Sequence, residues 1–354
     1  MSCFLIAGFL AALAASPEDA GAGSECFAAA GSRFELTVDP ALGPSEKAPW
    51  KDWIRTSARA VATVSGRFPE PEVAVSLEAR ESDGPVGFGR VRRGSPPRVH
   101  FYVRGDATLE ELEADWHGYH EFAHLLLPFP GNADRWFSEG LASYFQYLLM
   151  ARAGVIEPDE AWRKLAAGFW RGLDDPAGRG RSLRELGPDM RSERAFRRVY
   201  WTGAAYFLRV DLGLRIESRN RHSLDSAIAA FHECCMDARG SWSALALIRE
   251  LGRLSVPRIW EAEYERMIDA TAAPEFETAF GKLGIRMSSD GRVEFRADAE
   301  QAGLRARIAG PRGLVNRDSK SAACVEPGRR GLGSGINPGP WNVTRTTGQA
   351  RPGG

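Results

Sequence analysis

Five consecutive residues constrain this chain more than any other stretch: His120-Glu121-Phe122-Ala123-His124. On a helix, side chains four residues apart stand one above the other, so the two imidazoles share a face and can close on one metal ion. Glu121, one position along, leans over the same place, where a carboxylate can take a proton from a metal-activated water. The chain has six histidines in 354 residues, so two at this spacing around a glutamate carry information. The bland alternative is a pair of part-buried histidines in an amphipathic helix.

The surroundings predict a helix. Thr108-Leu109-Glu110-Glu111 is a capping box, which opens helices. Leu112, Trp116, Tyr119, Ala123 and Leu126 follow at spacings of three and four and make a core stripe. Glu113, His117, His120 and His124 make a second stripe on another face, and Pro128, Pro130 and Gly131 end the pattern. His117, one turn before His120, reads either as a partner to the site or as a part-exposed surface histidine.

Two imidazoles do not hold a catalytic zinc ion (Zn2+); a third protein ligand is needed, with a fourth position left open. Glu139 is the best candidate, in Arg135-Trp136-Phe137-Ser138-Glu139-Gly140-Leu141-Ala142-Ser143-Tyr144. Phe137, Leu141, Tyr144 and Leu148 read as the buried stripe of a second helix, and Glu139 falls off that stripe. Gly140 beside it permits another helix to approach closely. The alternative for Glu139 is an ordinary first-turn glutamate favoured by the helix dipole.

Together, H-E-F-A-H followed by W-F-S-E-G-L-A-S-Y resembles the gluzincin zinc metallopeptidases, in particular the aminopeptidase-like and peptidase MA-like groups. The resemblance spans roughly residues 85 to 285. It implies that His120, His124 and Glu139 bind Zn2+ and that Glu121 is the catalytic base. Val199-Tyr200-Trp201-Thr202-Gly203-Ala204 is similar to the family's Y-x-x-G-A segment, which implies that the Tyr200 hydroxyl supports the oxyanion. One departure is visible: no G-A-M-E-N-type stretch, which grips a free amino terminus in alanyl aminopeptidases, is present.

The order of elements predicts an α+β fold. Residues 34–40, 73–77 and 99–103 read as strands, with a Gly-rich stretch from Gly84 to Gly94, and residues 50–66 as an amphipathic helix. By the resemblance, Val99–Val103 is either the sheet edge along the cleft or an ordinary strand. After the second metal helix the pattern turns helical, at about 158 onward, 193–217, 223–236, 243–254, 257–268 and 274–283, with a loop over 174–187 and a short strand at 292–295. The expected divisions are a small mixed-sheet subdomain carrying the H-E-x-x-H helix over 26–150, a mainly helical one over 151–300, and a disordered tail over 301–354, rich in Gly, Pro and Arg. The resemblance makes this the thermolysin-like gluzincin architecture.

Residues 4–15 form an apolar run ending in Ala12-Leu13-Ala14, which reads as a signal peptide over 1–15 and implies export to the periplasm or outside the cell. No other segment reaches the length of a membrane span. Cys26 can pair with Cys234 or Cys235, and the sequence does not choose. Lys+Arg and Asp+Glu are both 46, so nothing global points to nucleic acid. The expected activity is zinc-dependent hydrolysis of a peptide or protein substrate. The alternative is an exported protein that binds metal or peptide without turnover. Oligomeric state is left open.

Overall fold

In the computed structural model, which describes residues 24–43, 49–236, 241–272, 276–287 and 292–313, alternating residues build the first layer. Strands β1 (Ser24–Ala29), β2 (Ser32–Val38), β3 (Glu72–Ala79), β4 (Val86–Arg92) and β5 (Arg98–Val103) form one sheet in the order β1-β2-β3-β5-β4. β2, β3 and β5 run parallel, while β1 and β4 are antiparallel edges. Alternate residues of the parallel strands are buried and nearly all apolar, Phe34, Leu36, Val73, Val75, Val99 and Phe101 among them. That face receives α1 (Trp50–Ala62), whose Trp53 ring lies 4.9 Å from Phe101. It also receives Phe122, the third residue of the five-residue motif, at 5.9, 5.5 and 6.2 Å from Phe34, Phe68 and Phe101. An apolar residue inside the motif therefore anchors it to the sheet.

Val99–Val103 is an interior strand and not the edge beside the cleft. The edge is β4, from the Gly-rich stretch, where Gly87, Gly89 and exposed arginines hide the alternation that marks a strand. The single helix expected from Thr108 onward is also corrected. α2 (Leu109–Ala114) opens with the capping box and stops at Asp115, which is extended at ψ 137°. The Asp115 carboxylate then accepts the His117 N–H at 2.8 Å, and α3 (His117–Ala123) begins, tightening into a 3-10 turn over His124–Leu126. Aspartate competes for nearby backbone donors, which favours such a restart.

The second layer is helical: α4 (Arg135–Arg152), α5 (Pro158–Asp174), α6 (Leu183–Asp189), α7 (Phe196–Ser218), α8 (Leu224–Cys234), α9 (Ala244–Arg253), α10 (Pro257–Ile268) and α11 (Glu277–Lys282). Pro158 and Pro257 sit in first turns, and the Ser223 side chain caps α8. α6 lies partly inside the expected 174–187 loop; its signal is the Ser182/Glu185 capping box, embedded among glycines. A two-stranded ribbon, β6 (Ile285–Met287) and β7 (Val293–Phe295), follows. Pro274, the expected start of the last helix, lies outside the described residues, as does the apolar run at 4–15.

The expected tail begins too early. α12 (Leu304–Ala309) buries Leu304, Ile308 and Ala309, and the Arg312 backbone N–H donates to Arg152 O at 3.0 Å. Asp225 on α8 accepts from three arginines, Arg152 at 2.9 Å, Arg312 at 2.9 Å and Arg215 at 3.4 Å. A low-complexity reading misses this because three apolar residues and one arginine suffice to dock the segment. Residues 314–354 lie outside the described residues. Both expected stretches, 26–150 and 151–300, fall in one compact unit. Cys234 and Cys235 are disulfide-bonded to each other, so neither pairs with Cys26.

α4 and α7 cross at Gly140 and Gly203. A Cβ on Gly140 would stand 2.4 Å from the Gly203 carbonyl carbon, and one on Gly203 would stand 2.2 Å from Trp136 O. Helix propensity alone makes Gly→Ala favourable by about 1 kcal/mol. Backbone-on-backbone contact reverses the sign: overpacking of this kind costs about 1–3 kcal/mol. Gly203→Ala and Gly140→Ala are expected to lower stability in urea denaturation. A gain in stability in both would refute the crossing.

Candidate active site

The site sits where α3, α4, α7 and β4 meet. α3 is held to the sheet through Phe122, which turns the opposite face, with His120, toward α4; His124 follows in the 3-10 turn. α4 answers with Glu139. Its Oε2 lies 3.5 Å from His120 Nε2 and 3.4 Å from His124 Nε2. These three atoms are mutually within 4.8 Å, close enough to hold one metal ion.

The far side of each imidazole is also held by α4. Gln146 Oε1 is 2.9 Å from His120 Nδ1, and Ser138 Oγ is 3.0 Å from His124 Nδ1. A carboxamide oxygen only accepts, so the Gln146 contact favours a proton on His120 Nδ1, the tautomer in which Nε2 can ligate a metal. Partners of this kind fix ring orientation and raise ligand basicity. Neither was singled out in the sequence. Gln146 had a signal, since it stands seven residues, two turns, along from Glu139.

Burial works against the charge on Glu139, but the His124 and His120 imidazoles outweigh it and hold the carboxyl well below the usual carboxylate range. Glu121 is buried too, and there burial wins and raises its carboxyl above the ordinary value. Gly89 on β4 presses on it: a Cβ at that position would stand 2.5 Å from Glu121 Cγ. The edge strand thus lies directly over the carboxylate. Tyr200, near the start of α7, stacks 6.2 Å from the His120 ring. Burial first, and then the Glu139 charge, push its hydroxyl far up, so it keeps its proton. All five residues named from the sequence, His120, Glu121, His124, Glu139 and Tyr200, line one cleft of about 990 Å3.

His117 also lines the cleft, stacked on Trp116 at 3.9 Å with Nδ1 2.7 Å from Asp115. Phe88 from β4 and Phe196 from α7 are exposed large apolar side chains, 49% and 40%, and both stand at this cleft. Arg93, just past β4, donates to the His124 and Leu127 carbonyls, and His232 Nε2 is 2.7 Å from Leu126 O. The open carbonyls at the end of the motif helix are thereby satisfied. Gln146→Leu keeps the volume and removes the His120 Nδ1 partner. Affinity for an added divalent metal ion, measured by competition with a chelator, is expected to fall by about 10- to 100-fold. An unchanged affinity would mean that Gln146 does not orient the ring.

Residues 131–204, from the loop before α4 through the middle of α7, match the model of the M61 glycyl aminopeptidase family. No curated protein sequence matches the chain. Among solved structures, the chain is similar to an aminopeptidase N family protein from Idiomarina loihiensis, with TM-score 0.59, 13% identity, and coverage of 76% of this chain and 50% of that one. It is also similar to an M1 zinc metallopeptidase from Deinococcus radiodurans, with TM-score 0.47, 15% identity, and coverage of 72% and 52%. The chain therefore spans about half the length of these relatives. With a family-model match across α4 and a like fold around it, the chain resembles the gluzincin-type metallopeptidases in architecture as well as in motif.

Proposed function

We propose that the protein is a zinc-dependent peptidase, with His120, His124 and Glu139 as metal ligands, Glu121 as general base and Tyr200 as oxyanion donor. The observation that carries the reading is the spacing of the three donor atoms. Ligands about 2.0–2.1 Å from a tetrahedral zinc stand about 3.3–3.4 Å from one another. The Nε2–Oε2 separations of 3.5 and 3.4 Å match that spacing, and all three donor atoms lie within 4.8 Å of one another. Two imidazoles and one carboxylate are also a catalytic donor set, which leaves a position open. Zinc bound there supplies Lewis acidity toward a carbonyl and makes a water acidic near neutral pH.

The chain's own residues supply the rest. Glu121, buried under β4, is placed to accept the proton of an attacking water and return it to the leaving amine. The protonated Tyr200 hydroxyl can donate to an oxyanion, where one preorganised donor contributes roughly 100- to 1000-fold in turnover. The exposed backbone edge of β4 offers hydrogen bonds to an extended peptide, with Phe88 and Phe196 as apolar contacts.

Metal analysis of the purified protein is expected to find one zinc per chain, lost in His120→Ala and His124→Ala. Glu121→Gln should keep zinc and lose nearly all turnover of a peptide library. Tyr200→Phe should keep zinc, lower kcat by roughly 100-fold or more and leave KM near its starting value. Phenylalanine retains the ring, so turnover within a few-fold of the parent would withdraw Tyr200. Unchanged zinc in both histidine variants would sink the metal assignment. Export belongs to the same proposal and rests on the apolar run at 4–15; mature protein beginning near Ala15 supports it, and Met1 retained on cytosolic protein counts against it.

A further inference from the structure

The cleft branches. Beside the metal ligands, a second cavity of about 360 Å3 opens between the N-terminus of α4 and α6, lined by Asn132, Arg135, Gly187, Pro188, Met190 and Arg191. Arg135, Met190 and Arg191 line both spaces, so the arm continues the cleft. Its walls are set by hard contacts: a Cβ on Gly187 would meet Ala133 O at 2.0 Å, which fixes α6 against the loop before α4. Among the described residues, its charged side chains are two arginines.

Arg135 is positioned rather than consumed. Its guanidinium stacks 5.6 Å over Phe129, donates to Asn132 and stands 3.8 Å from Glu139 Oε1, the oxygen turned away from the imidazoles. Arg191 is exposed and makes no ion pair among the described residues. The main cleft tilts the same way. Arg90 and Arg92 line it, and among the described residues its carboxylates are Glu121 and Glu139 alone. Both of those are committed to the metal site. Among the described residues no other carboxylate lines the cleft to receive a substrate's ammonium, while guanidinium groups are available for an anion.

We infer that the Arg135–Arg191 arm is a subsite for a peptide carboxylate, close to the bond that is cleaved. This rests on the reading of the cleft as a peptide site and adds the class of peptide: one carrying an acidic side chain or a terminal carboxylate, not one recognised by its free amine. Guanidinium is matched to this ligand, since its planar fork donates two parallel hydrogen bonds to one carboxylate. Hydrogen bonds to charged groups of this kind correspond to about 10- to 100-fold in affinity.

The test uses the full-length protein as Glu121→Gln, in buffer containing zinc, and measures binding of three labelled, N-acetylated decapeptides by fluorescence anisotropy. One carries a central Glu and an amidated end, the second a central Gln and an amidated end, and the third a central Gln and a free C-terminal carboxylate. At least one carboxylate peptide is expected to bind about 10-fold or more tightly than the neutral peptide. The Glu peptide winning assigns an acidic side chain, and the free-acid peptide winning assigns the chain terminus. Arg191→Ala and Arg135→Gln should each shrink that ratio, with Arg135→Lys shrinking it less than Arg135→Gln. Equal binding of all three peptides, no binding of any, or a ratio that survives both arginine substitutions overturns the subsite. Hydrolysis by the parent protein is scored separately. Turnover without carboxylate preference removes the subsite and leaves the peptidase reading, whereas an arginine-dependent preference without turnover does the reverse.

Discussion

The site depends on two glycines that let the backbones of α4 and α7 touch. Glu139 immediately precedes Gly140, and Tyr200 lies one turn before Gly203. Both candidate side chains are therefore measured from the crossing point. A wider crossing, as any Cβ would impose, would carry Tyr200 away from the His120 ring and leave Glu139 facing imidazoles without its neighbour on the other side. α3 reaches the same place from the sheet, held by Phe122 among Phe34, Phe68 and Phe101. The candidate donor set thus lies where the sheet layer packs on the helical layer in one continuous core, and its spacing is a sum of packing distances that have little freedom to change.

Burying charge at that seam is costly unless each group is answered. Glu139 is answered by two imidazoles on one oxygen and faces Arg135 with the other. His120 and His124 are answered by Gln146 and Ser138, and the carbonyls that end their helix by Arg93 and His232. Glu121 is the exception. Its carboxyl is buried beneath Gly89 and is raised, not lowered, by its surroundings. A group held in that condition is a better proton acceptor than a solvated carboxylate, which connects its environment to the role proposed for it.

α4 is fixed at both ends. Its first turns carry Arg135, Ser138 and Glu139, and its last residue, Arg152, reaches Asp225 on α8 and Ile308 near the end of the described chain. Arg215 and Arg312 share the same carboxylate. Such a cluster adds little net stability over an apolar core, but removing one member leaves an uncompensated buried charge. Residues 304–312 are in this way part of the scaffold that orients the helix bearing Glu139.

Much of this was legible in the residues. The H-E-x-x-H spacing, the off-stripe Glu139 with Gly140 beside it, and Tyr200 with Gly203 one turn on all rely on local helical geometry, which spacing encodes directly. The capping boxes and first-turn prolines marked helix starts for the same reason. What failed was non-local. β4 could not be recognised as the cleft edge because glycines and arginines mask its alternation, and only pairing with β5 makes it a strand. The break at Asp115 reflects one side-chain hydrogen bond competing with a helix turn. The docking of α12 depends on partners more than 70 residues away. By itself, then, the sequence singled out the candidate groups that the fold gathers in one cleft, since their chemistry and helical phase are local properties. Only the tertiary structure decided what surrounds them: the Gln146 and Ser138 supports, the strand over Glu121 and the arginine-lined arm. Those arise where separate elements pack, and no spacing along one chain segment reports which distant face will arrive.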